Sequence, residues 1–220
     1  MGKKIGVGLL GLGTVGAGVA GILQAPEGRH PLVAELELVR IAVRDLHRPR
    51  PIELRASLLT NNPQAVVDDP SVQVVVEVMG GIEPARTLIM RAIAAGKAVV
   101  TANKAVIARH GEEIAAAAAA AGVYVLIEAA VGGDIPIIEP LKQSLGGNRI
   151  ERVSGIINGT TNYILSRMAQ EGVAYDDVLK TAQDLGYAEA DPAADVEGFD
   201  AADKIAILSG LAFGGPVDRD

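Results

Sequence analysis

Between Gly186 and Lys204 the chain reads GYAEADPAADVEGFDAADK: six carboxylates (Glu189, Asp191, Asp195, Glu197, Asp200 and Asp203), then one lysine. A lysine beside a developing negative charge on oxygen can donate a proton or act as a fixed cation. Carboxylates in the same place suit a ligand's ammonium group. Asp200 and Lys204 are four residues apart, so on a helix they share one face. The same spacing also describes a solvent-exposed ion pair worth only about 0.3–0.5 kcal/mol, and spacing by itself leaves both readings open.

Two other segments offer chemistry. Gly11-Leu12-Gly13-Thr14-Val15-Gly16 is a GxGxxG string directly after an apolar run. In that context Gly11 permits a tight turn, Gly13 lets backbone approach a pyrophosphate, and Gly16 allows close helix–strand packing. The helix start that follows supplies free N–H groups and positive dipole character for phosphate. The string therefore predicts a dinucleotide site, with a plain tight turn as the alternative. Arg44-Asp45 ends the second apolar run. Arg44, with Arg48 and Arg50 nearby, favours the 2′-phosphate of NADP, while Asp45 keeps NAD open and a solvated basic loop is the bland alternative. Lys104 follows Val99-Val100-Thr101-Ala102-Asn103 at a strand's C-terminal end, the edge where open α/β sheets bind ligands.

Composition narrows the classes. There is no cysteine, which removes disulfides, thiolate metal sites and cysteine nucleophiles. Aldehyde chemistry through a thioester is excluded, leaving plain hydride and proton transfer. A net charge of −7 argues against general nucleic-acid binding, which needs a basic footprint, and suits a cytoplasmic protein with a small-molecule partner. No apolar run reaches the roughly 18–20 residues that span a bilayer. His30, His47 and His110 lie scattered, without metal-ligand spacing.

The elements that must position these groups follow from period and punctuation. Strands are expected at residues 5–10, 36–43, 72–79, 98–101 and 123–128, and helices at 14–24, 84–95 and 112–121. The alternation implies an α/β fold, a Rossmann-type doubly wound parallel sheet. Gly132, Gly133 and Pro136 then change the texture, and a boundary is expected near residue 130. Beyond it we expect helix at 136–145, strand at 150–158, and helices at 160–170, 175–185 and 200–213, an α+β region. Asn158, Thr160 and Thr161 are good turn and N-cap residues, and capping alone explains their type.

Ser154 to Leu165 (SGIINGTTNYIL), Thr101 to Ala105 (TANKA) and the segment from Gly186 to Lys204 together resemble homoserine dehydrogenase, over essentially all 220 residues. The two later segments are far more specific than the glycine loop. The resemblance implies reversible reduction of L-aspartate 4-semialdehyde to L-homoserine with NADP or NAD, in the threonine, methionine and isoleucine branch of amino-acid biosynthesis. It implies Lys204 as proton donor, with Gly186, Glu189 and Asp200 at the substrate and Asp195 in support. It places Lys104 beside nicotinamide and substrate, and Gly11, Gly13, Thr14, Val15, Gly16, Arg44, Thr101, Lys104 and Gly186 around the cofactor. Glu128-Ala129-Ala130-Val131-Gly132-Gly133-Asp134-Ile135-Pro136 matches the family's EA-x-VGGGIP except at Asp134. That match implies a monovalent cation, sodium, held by Glu128, Val131, Gly133 and Ile135, with an ion-free hinge as the alternative. Asp203 stands where the family has a basic residue and is expected to face solvent, as are Asp191 and Glu197. Residues 1–130 would be the NAD(P)-binding domain and 131–220 the catalytic and dimerisation region of a homodimer. The family continues past the last helix, so the sequence reads as truncated. The alternatives are a cofactor-binding fragment without turnover and a related amino-acid oxidoreductase.

Overall fold

A computed structural model describes residues 4–133, 135–215 and 217. The chain divides into two compact units, Met1–Ala130 and Val131–Asp220.

The first unit is a six-stranded parallel sheet. Its strands are β1 (Ile5–Leu10), β2 (Leu36–Ala42), β3 (Leu59–Thr60), β4 (Val74–Glu77), β5 (Ala98–Thr101) and β6 (Val125–Leu126), in spatial order β3-β2-β1-β4-β5-β6. Order reverses between β1 and β4, the switch point at which doubly wound sheets bind ligands. The helices are α1 (Thr14–Gln24), α2 (Gln64–Val67), α3 (Ala85–Ala94) and α4 (Lys104–Ala121). The sheet core gathers Val7, Leu9, Leu38, Ile41 and Val76 with Ala20 of α1. Buried Leu88, Ile89 and Ile93 of α3 add to the apolar interior. Near-continuous apolar strands are what burial on both sheet faces demands.

Two departures from the expected elements have local causes. The helix expected at 112–121 begins at Lys104, because Asn103 caps it by accepting from Val106 N–H at 3.3 Å. The two-residue edge strand β3 was not expected, being too short to show a period.

The second unit holds α5 (Gly159–Glu171), α6 (Tyr175–Asp184), α7 (Ala193–Val196) and α8 (Phe199–Phe213). Its core joins Ile164, Val178, Ala182 and Ala188. The strand expected at 150–158 does not form. A strand needs a neighbour's N–H and C=O groups, and among the described residues this unit has no strand to provide them. The expected helix at 136–145 is helical over residues 138–144, with Pro140–Ser144 wound as a wide π turn.

Candidate active site

At the glycine loop the three glycines do three different things. Gly11 has φ +101°, and a Cβ there would meet the Val78 carbonyl at 2.8 Å. A Cβ at Gly16 would stand 2.3 Å from the Gly11 carbonyl. A Cβ at Gly13 would meet nothing within 4 Å. Gly11 and Gly16 are thus fixed by the protein's own packing, whereas Gly13 borders open space at the start of α1. No side chain caps that helix, so the first-turn N–H groups at Thr14, Val15 and Gly16 face the donor side of an uncapped terminus. Free amides, a helix N-terminus and a backbone without a side chain at the point of approach fit a dinucleotide's pyrophosphate.

Beyond β2, Arg44 and Asp45 are both exposed. Asp45 accepts from His47 N–H at 2.8 Å. Arg50 donates to the carbonyls of Asp45, Leu46 and Arg48, so it staples the loop, while Arg44 and Arg48 are exposed.

Lys104 opens α4 immediately after β5, and a network of buried groups fixes that turn. The Glu77 carboxylate, 0% exposed, accepts from Thr101 Oγ1 at 2.6 Å and from Met79 N–H at 2.8 Å. Thr101 Oγ1 accepts from Asn103 N–H at 3.0 Å, and Asn103 Nδ2 donates to the Gly81 carbonyl at 2.7 Å. The Thr101 hydroxyl is committed on both sides and wholly buried, which makes it part of the frame beneath the Lys104 turn. Glu77 was missed by sequence reasoning. Its signal is a single acid ending the run VQVVVE, where a buried charge must have partners.

In the second unit, Asp200 and Lys204 share a face of α8 with Nζ 2.6 Å from Asp200 Oδ2. The Asp200 side chain is 9% exposed and that of Lys204 19%, so the pair is no surface ion pair. Nζ also donates to the Ile157 carbonyl at 2.6 Å. Two of the three ammonium hydrogens are thereby used among the described residues, and one remains for a ligand oxygen. Asn158 Nδ2 reaches Asp195 Oδ1 at 2.7 Å and Asp200 Oδ2 at 2.9 Å. The structure thus brings together Asp195, Asp200 and Lys204, and adds Asn158.

Gly186 has φ +75° and follows α6, a left-handed position that glycine takes without strain. Glu189 remains exposed, with its backbone carbonyl accepting from Gln183 Nε2. Asp191 and Glu197 are also exposed. Asp203, expected to face solvent, is 5% exposed. Positions 200, 203 and 207 fall on one stripe of α8, which the helix turns inward with Ile207.

At the proposed cation turn, Glu128 lies in the short helix Glu128–Ala130 of the first unit. In the second unit Val131 is buried and Gly133 and Ile135 are exposed, with Ile135 N–H bonded to the Gly132 carbonyl at 2.7 Å. Asp134 lies outside the described residues. Among the described residues no group of three or more His, Cys, Asp or Glu side chains is placed to hold a metal ion, and no described helix is long and apolar enough to cross a membrane.

Comparison with known proteins agrees over nearly the whole chain. The family model "Homoserine dehydrogenase, NAD binding domain" matches residues 11–128, and "Homoserine dehydrogenase" matches residues 136–220. A homoserine dehydrogenase of Synechocystis sp. is 63% identical over 97% of this chain and 49% of its own length. One of Bacillus subtilis is 46% identical over 99% of this chain and 51% of its own. Among solved structures, a homoserine dehydrogenase from Thiobacillus denitrificans is 55% identical with a TM-score of 0.87, covering 99% of this chain and 51% of that one. A hyperthermophilic archaeal homoserine dehydrogenase in complex with NADPH is 29% identical with a TM-score of 0.84, covering 97% of this chain and 71% of that one. The chain spans about half the length of the curated relatives it matches.

Proposed function

The chain belongs to the homoserine dehydrogenase family, and from that premise we propose that it catalyses the reversible NAD(P)-dependent reduction of L-aspartate 4-semialdehyde to L-homoserine. The observation that carries the reading is the Lys204 ammonium, held by Asp200 and the Ile157 carbonyl with one hydrogen to spare.

In this reading the cofactor-binding residues are Gly11, Gly13, Thr14, Val15, Gly16 and Gly186. Arg44 takes the 2′-phosphate when the cofactor is NADP. A bound reduced nicotinamide supplies the hydride to the aldehyde carbon. As the C=O bond gives way to C–H, negative charge builds on oxygen, and Lys204 Nζ delivers its remaining proton there. General acid catalysis of this kind contributes roughly 10²–10⁴-fold. Asp200 keeps the lysine aimed until transfer, and solvent then restores its proton. In the oxidative direction neutral Lys204 takes the hydroxyl proton. Glu189, Asp195 and Asp200 receive the substrate's ammonium with Gly186 beside it, and Lys104 meets its carboxylate or carbonyl. Carbonyls at Val131, Gly133 and Ile135, with Glu128, are oxygen donors of the kind a hard cation such as sodium accepts. We place the enzyme in the cytoplasm, acting in threonine and methionine formation, as a homodimer built through the second unit.

The test is L-homoserine-dependent formation of reduced cofactor, with NADP and NAD in parallel. Turnover confined to L-homoserine supports the reading. Cofactor binding with no homoserine-dependent reduction contradicts it.

A further inference from the structure

Asn158 has every hydrogen-bonding position of its amide in use. Oδ1 accepts from Thr161 N–H and from Thr161 Oγ1, both at 2.8 Å, which caps α5. With the oxygen committed there, the NH2 group must point the other way. It lies 2.7 Å from Asp195 Oδ1 and 2.9 Å from Asp200 Oδ2, one N–H for each carboxylate. Asp200 Oδ2 also receives Lys204 Nζ at 2.6 Å. The other acceptor of that ammonium is the carbonyl of Ile157, the residue next to Asn158. One amide, only 9% exposed, therefore ties α7 and α8 to the start of α5.

Capping needs only an acceptor, and serine or aspartate would serve α5 equally well. The two donors have no part in the cap. Their acceptors are two carboxylates brought close together, whose like charges repel unless donors lie between them. We propose that Asn158 is a positioning residue for proton transfer: it clamps Asp195 and Asp200 in one arrangement and, through Asp200, aims Lys204. The inference rests on the reading of Lys204 as proton donor. Removing the donors lets the carboxylates part and the ammonium follow Asp200. A displacement near 1 Å costs roughly 10²-fold in rate.

Asn158→Ser and Asn158→Asp separate the clamp from the cap, because both keep the acceptor, while aspartate loses both donors and serine retains one short O–H that cannot bridge the two carboxylates. We expect Asn158→Ser to melt close to the wild type and Asn158→Asp to melt lower, because it adds a third carboxylate beside Asp195 and Asp200, with NADPH binding unchanged in both. Their kcat for homoserine oxidation should fall roughly 10²-fold, with a raised KM for homoserine and the larger loss in Asn158→Asp. Wild-type turnover in either variant would reduce Asn158 to a cap and overturn the proposal. A second readout does not depend on turnover. In nitrogen-15 spectra of the whole chain, Asp195→Asn should shift one side-chain proton of Asn158 and Asp200→Asn the other. If neither proton responds, the clamp is refuted even in an active enzyme. If the protons respond but the wild type never oxidises homoserine, the functional reading has failed while the clamp stands.

Discussion

Asp200 and Lys204 show what residue spacing can and cannot reveal. Four residues apart, they were bound to share a helix face, but that spacing is equally common on surfaces. Burial is what separates the cases, and the buried Asp200 is bound by Asn158, which is 42 residues away in sequence. No local pattern announces such a contact, so the residue types alone showed Asn158 only as a cap within the SGIINGTTNYIL segment. Asp203 was misjudged for a related reason: polar type suggested solvent, while its place three residues after Asp200 put it on the inward stripe of α8. The glycine loop was more legible, because turn geometry is local. It also permits a clean separation of fold from function. Gly13→Ala places a methyl group where no protein atom lies within 4 Å, so its melting temperature should stay near that of the wild type. NADPH affinity, followed by fluorescence titration, should fall about tenfold, which is about 1.4 kcal/mol. Gly16→Ala, which meets the Gly11 carbonyl at 2.3 Å, should damage stability and binding together.

At the scale of elements, alternation of apolar strands with helices made the first 130 residues readable. The Asn103 cap was present in sequence, yet α4 was begun eight residues late because Gly111 interrupts it. The missing strand at 150–158 has a different cause: β-branched, apolar residues favour extended chain, but pairing depends on partners that lie elsewhere in the molecule. Glu77 carries the element-scale prediction. Its carboxylate joins the ends of β4 and β5 beneath the turn that bears Lys104. Glu77→Gln can still accept from Met79 N–H, but its NH2 group faces the Thr101 hydroxyl and leaves that O–H donor without an acceptor. An unsatisfied buried group costs about 1–3 kcal/mol. Urea unfolding should show a loss of that size, and cofactor-dependent activity should drop with it. An unchanged midpoint would mean that the network is dispensable.

At the scale of the molecule, the two compact units divide the chemistry that the reading requires. The first has the uncapped helix start and the Lys104 turn; the second has the carboxylates and Lys204. The second unit also carries large apolar side chains in solvent, Ile156 at 75% exposure and Leu165 at 63%. Large apolar side chains left in solvent are what a self-association surface through this unit would cover. Sedimentation equilibrium should therefore give twice the 22.6 kDa of one chain. A single-chain mass at micromolar concentration would remove the homodimer from the proposal. The central claim is narrower: Lys204 moves the proton. Its most direct test is the rate of L-homoserine-dependent NADP reduction in Lys204→Ala beside the wild type, at saturating cofactor. The account predicts a fall of roughly 10²–10⁴-fold with NADPH affinity unchanged. Turnover within a few-fold of the wild type would contradict it.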